Sequence, residues 1–146
     1  QKKLYRTVFK ERTLKSIIMK RIYLLLLLLV SLNGFSQQES PETIVQKQVD
    51  AYNQKDIELF LSFYSDDVKI YNFPNKLTSD GKEQLRKDFT EYFGKAKTLH
   101  CTISKRIVRK NIIIDEEQIK FNDFEFSGVA IYEIANNKIV SVTFVE

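Results

Sequence analysis

The sequence predicts an α+β domain in which helices come first and an antiparallel sheet follows. Residues 44–64 repeat their apolar side chains at helical spacing, and residues 99–145 alternate as strands between short turn signals. The last two strands are apolar on both faces, which predicts a sheet covered from both sides.

Ser40-Pro41-Glu42 marks the first helix start: a hydroxyl N-cap, proline at the first helical position and an acid in the first turn. Ile44, Val45, Val49 and Tyr52 form its apolar stripe, and Gln48 falls within it. Asn53-Gln54-Lys55 breaks that helix and Asp56 caps the next. Ile57, Phe60, Leu61 and Tyr64 make one apolar face, with Leu59 and Phe63 opposite, so the second helix is expected to be enclosed on most sides. Ser65-Asp66-Asp67 is expected as a turn and Val68–Phe73 as a strand ended by Pro74-Asn75. A third helix is expected from about Asp80, with Glu83 completing a variant capping box and Gly94 as its stop. Leu99–Arg109, Ile112–Phe121, Phe124–Ile134 and Lys138–Val145 read as strands, separated by Lys110-Asn111, Asn122-Asp123 and Asn136-Asn137.

The formal charge of +4 over the 146 residues is unevenly spread. Residues 1–36 hold eight of the 23 basic side chains and one of the 19 acidic ones, so residues 37–146 carry 15 basic against 18 acidic. A nucleic-acid partner is therefore not expected, and the remaining basic residues form no stripe. Met19-Lys20-Arg21, the apolar run Ile22–Leu32 and Asn33-Gly34-Phe35-Ser36 have the three parts of a secretory signal peptide. That run gives roughly 16 Å of helix against a hydrocarbon core of about 30 Å, too short to span. The expectation is a leader and signal peptide over 1–36 and an exported domain over 37–146, periplasmic or secreted, with no membrane association after cleavage. Met19 is the expected start, residues 1–18 an upstream extension. Cys101 has no partner within the chain and sits in an alternating apolar run, as a small core residue does.

The order helix–helix–strand–helix–meander, with Ala51-Tyr52-Asn53 and Asp56, Phe60, Asp66-Asp67-Val68, Gly81 and Ala130-Ile131-Tyr132 in place, resembles the nuclear transport factor 2-like superfamily of SnoaL-like and ketosteroid isomerase-like domains. The resemblance covers about Glu42 to Val145. It implies a cone-like sheet packed on three N-terminal helices, enclosing a pocket, and a homodimer through the outer sheet face. Aligned on these landmarks, the tyrosine of a ketosteroid isomerase falls on Gln48, its general base on Asn72 and its protonated aspartate on Tyr132. An amide cannot take up a proton at neutral pH, so isomerisation by that mechanism is not expected; a one-residue slip would substitute Tyr71 and still supply no carboxylate.

Gln48 is either a buried amide in need of partners or a stripe-edge residue in water. Tyr132 is either a pocket donor or a core tyrosine with a satisfied hydroxyl, and Asn72 either a pocket amide or a strand-end residue bonding its own backbone. With Tyr64 and Phe144 these are the expected ligand-binding residues. His100 shares a strand face with Thr102, Ser104 and Arg106, opposite Cys101, Ile103 and Ile107, and is expected in water. Asp115-Glu116-Glu117 alternates faces and points to no metal; no cofactor motif is present. The expected function is binding of a small, mostly apolar ligand, within an interior rich in Phe60, Phe63, Phe89 and Phe93. The alternative is an acid–base isomerase, cyclase or hydratase using Tyr64, Tyr71, His100 and Tyr132, and the third possibility is a dimeric module whose cone is filled by its own side chains.

Overall fold

Local chemistry sets the helix ends. In the computed structural model, which describes Met19 and residues 39–145, α1 runs Pro41–Gln54 and α2 Ile57–Ser62. The Ser40 hydroxyl accepts from Thr43 N at 3.1 Å, and the Asp56 carboxylate accepts from Leu59 N at 3.0 Å. Lys55, left-handed at φ 54°, closes α1 through its N–H to the Ala51 and Tyr52 carbonyls. The leader and signal-peptide expectations lie outside the described residues. The chain divides into two units, residues 1–37 and 38–146, and the described fold belongs to the second.

The remaining elements are β1 Tyr64–Asn72, β2 Lys76–Asp80, α3 Lys82–Lys95, β3 Leu99–Arg109, β4 Ile112–Phe121, β5 Phe124–Ala135 and β6 Lys138–Val145. They build one open six-stranded sheet in the order β2-β1-β6-β5-β4-β3. The stretch β3 to β6 is the expected antiparallel meander, whereas β1 joins β6 in parallel. Ile44, Val45, Phe60, Leu61, Leu85 and Ile113 are fully buried between the helices and the inner sheet face. Tyr52, Phe60, Phe89, Tyr92 and Phe93 pack ring to ring there, the closest centroids (Phe60 and Phe89) 4.5 Å apart.

Several local expectations yield to tertiary pairing. Ser65-Asp66-Asp67 is strand rather than turn, because β1 already pairs at Tyr64 with Ile139 of β6, where Ile139 N donates to Phe63 O. The edge strand β2 was not expected; its sequence, KLTSD, has no apolar alternation and is held by antiparallel pairing to β1. Asp80 belongs to β2 and pairs with Lys69, so Gly81, at φ 87°, occupies the N-cap of α3 without a side-chain cap. Gly94 lies inside α3, whose C-cap is Ala96. α2 is less enclosed than its composition suggests: Leu59 is 41% exposed.

Bulges decide which side chains turn inward. On β3 the register shifts between Ile103 and Lys105, so Arg106 points in and Ile107 out, reversing the expected parity. A second shift between Glu133 and Ile134 lets both Ile139 and Val142 of β6 face the core.

Candidate functional site

Between α1, α3 and the concave sheet face lies a cavity of about 690 Å³. Gln48, Val49 and Tyr52 line it from α1, Phe89 and Tyr92 from α3, and Tyr64, Asn72, Cys101, Glu117, Tyr132 and Phe144 from the sheet. Asp88, Phe126 and Ser127 are exposed and form its rim. The five residues expected to bind ligand, Gln48, Tyr64, Asn72, Tyr132 and Phe144, thus face one space. Of the aromatic interior, Phe89 reaches the cavity wall, whereas Phe60 and Phe93 pack in the core and Phe63 is only partly buried against it.

Polar groups converge on the floor. The Tyr132 hydroxyl donates to Glu117 Oε1 at 2.7 Å, with Tyr132 3% and Glu117 5% exposed. Burial pushes the Glu117 carboxyl up to about 7; Asp115 adds to the rise, while the Tyr132 hydrogen bond and the Arg106 charge oppose it. Burial likewise raises Tyr64 and Tyr132 well above the usual phenol range, and pushes the Cys101 thiol up to about 12. Cys101 is therefore an un-ionised wall residue rather than a nucleophile. Tyr52 and Tyr92 share a hydroxyl–hydroxyl hydrogen bond of 3.1 Å. Gln48 is 4% exposed and its Oε1 has no partner among the described residues, so it is the buried amide of the two alternatives.

Behind the floor, Arg106 grips Asp115 with both arms, Nε–Oδ1 at 2.7 Å and Nη2–Oδ2 at 2.6 Å, and reaches Gln46 Oε1 at 2.9 Å. Asp115 is fully buried. Its charge is thus matched by Arg106, leaving Glu117 as the buried carboxyl of the cavity without a cationic partner among the described residues.

Glu117 is the group that sequence reasoning missed: it weighs Asp115-Glu116-Glu117 only as a metal cluster and assigns no carboxyl to the pocket. The signal was in the strand period: Ile113, Asp115, Glu117 and Ile119 share one face, and Ile113 is apolar and fully buried. Among the alternative catalytic candidates, His100 is exposed on the outer face opposite Lys120, and Tyr71 is absent from the cavity wall. Tyr64 and Tyr132 remain. A carboxyl that is half-ionised near neutrality can both take and give a proton, so the floor is chemically able to do acid–base work.

Comparison with known proteins places this geometry. The model of the SnoaL-like domain matches residues 45–142. No curated protein matches the chain in sequence. In structure it is similar to an uncharacterized cystatin-fold protein from Novosphingobium aromaticivorans, at 22% identity and TM-score 0.69, covering 74% of this chain and 99% of that one. It is also similar to an NTF2-like protein of unknown function from Cytophaga hutchinsonii, at 14% identity and TM-score 0.64, covering 75% and 92%. An LEH-like epoxide hydrolase from Mycobacterium tuberculosis shares the fold at 12% identity and TM-score 0.61, covering 70% and 79%. At such identities these structures speak to the fold alone. With the family match spanning most of the described domain, the chain belongs to the SnoaL-like domain family of the nuclear transport factor 2-like superfamily.

Proposed function

We propose that this chain is an exported SnoaL-like protein that binds one small, mostly apolar molecule in its cone, without ketosteroid isomerase chemistry. The observation that carries the reading is the cavity itself: about 690 Å³, walled by Tyr52, Tyr64, Phe89, Tyr92 and Phe144, with a few polar groups gathered at one end. A volume of this size suits a compound of a few hundred daltons and argues against the filled-cone module. Export rests on the tripartite pattern of residues 19–36 and homodimerisation on the apolar outer sheet face. The test of the pocket is a neutral solvatochromic dye such as Nile red, added to the full chain. Emission should rise and shift to the blue, and Val49→Trp, which fills the cavity from α1, should suppress it. Equal emission from the variant would move the dye, and the reading, out of the cone.

Glu117 supports a second reading, an enzyme that moves a proton on its ligand. In that case, a bound compound with an acidic C–H should take up deuterium from heavy water on the wild-type protein and not on Glu117→Gln. Exchange at equal rates on both would remove Glu117 from catalysis.

A further inference from the structure

The pocket has an unusual charge inventory for an apolar site. Among the described residues, its wall contains two carboxyl groups, Glu117 at the floor and Asp88 at the rim, and no lysine, arginine or histidine. The cation nearest the floor, Arg106, is committed to Asp115 and Gln46 and does not line the space. The Tyr132 hydroxyl proton is committed to Glu117 Oε1, and Tyr52 and Tyr92 bond one another. The ionisable group on the floor is the Glu117 carboxyl; beside it stands the Gln48 amide, on a residue 4% exposed, whose oxygen is itself buried and without a partner among the described residues. Around these groups stand aromatic rings, whose faces attract cations.

From this arrangement we infer that the ligand is an organic ammonium compound, its apolar body against the aromatic wall and its cationic nitrogen at the Glu117–Gln48 end. The inference deepens the proposed function and rests on the pocket being a small-molecule site. A carboxylate ligand would meet Glu117 and Asp88 with no counter-charge, whereas a cation supplies the charge the cavity lacks.

The chemistry makes a directional statement about pH. Glu117 faces Asp115 on its own strand, Arg106 and Cys101 from β3, Tyr132 from β5, Tyr64 from β1, Gln48 and Tyr52 from α1, and Asp88 across the cavity from α3. The tyrosines and Cys101 are shifted upward and keep their protons at neutrality. Ionisation of Glu117, whose carboxyl sits at about 7, turns the floor negative as the pH rises. A permanent cation therefore binds better above neutrality, while a carboxylate or a carbonyl that takes a hydrogen bond from protonated Glu117 binds better below it.

The experiment is isothermal titration calorimetry on the full chain, from about pH 5.5 to about pH 8.5, so that Glu117 is titrated and the ligand is not. The probes are benzyltrimethylammonium, which has no titrating group, its uncharged carbon isostere neopentylbenzene, and phenylacetate. The expected result is that the ammonium tightens by at least about tenfold over that range while the isostere binds more weakly and without pH dependence. Glu117→Gln should flatten the rise. Should that variant not fold, Tyr132→Phe serves, and is expected to move the midpoint upward because the hydrogen bond that lowers the Glu117 pKa is gone. An isostere that binds as tightly as the ammonium, or a phenylacetate that binds best, overturns the ligand class and leaves the pocket reading standing. If none of the three binds, the pocket reading falls and takes the inference with it.

Discussion

Glu117 carries a pH-dependent stability penalty that can be separated from everything else in the molecule. Its carboxyl titrates at about 7 in the fold against 4.5 unfolded, so between those values the unfolded chain has released a proton that the folded chain still holds. Stability is full below about 4.5, falls as the pH rises, and levels off above about 7, by on the order of 3 kcal/mol in total. Glu117→Gln should remove this decline, so urea midpoints of variant and wild type should diverge from pH 5 to pH 8, with the variant the more stable at pH 8. Parallel curves would show that Glu117 is ionised in both states. The neighbouring pair behaves differently. Arg106→Ala strands the fully buried Asp115 carboxylate and should destabilise by about 3–5 kcal/mol. The double variant Arg106→Met with Asp115→Leu should recover much of that loss. Both variants are read from the same urea unfolding curves.

At the level of elements, α1 is clamped to the sheet edge by a side chain acting as a strand. Asn53 Nδ2 donates to Cys101 O at 3.0 Å, and Cys101 N donates to Asn53 Oδ1 at 2.6 Å, so an amide pairs with the free edge of β3. Asn53→Ala should destabilise by about 2 kcal/mol, since both backbone groups of a buried residue lose their partners. Hydrogen exchange of the Cys101 amide should speed up, and unchanged protection would argue that the clamp is incidental. Elements fixed by near neighbours were legible in the sequence: Ser40 and Asp56 cap as their spacing predicts, and the four long strands end at the expected turns. Lys110, Asn122, Asn136 and Asn137 all have positive φ there, and the last two form the tight Asn-Asn hairpin turn. Elements fixed by distant partners were not. β2 and the first residues of β1 exist because β6 and β1 pair with them, and Arg106 points inward because a bulge intervenes. The same bulge-free alternation that places Asp115 on the inner face of β4 also brings in Glu117, so that carboxyl was readable from Ile113 had the period been followed.

Across the whole molecule, the inner face of the sheet makes the pocket and the outer face remains to be covered. Ile107, Ile114, Ile131, Thr143 and Tyr71 lie in one register row across four adjacent strands and into β1, with Ile107 49% exposed. The homodimer proposed here would bury that row. Sedimentation at micromolar concentration should give a dimer, and Ile131→Glu at the centre of the row should give a folded monomer. A wild-type monomer would leave the row bare and count against the interface.

Whether the cone holds a molecule decides the function of this protein. Native mass spectrometry of the protein purified from its own host measures that most directly. It should show an added mass of a few hundred daltons that leaves on denaturation and is absent from Val49→Trp. A bare mass for the wild type, unchanged after incubation with a small-molecule extract of the host, would contradict it.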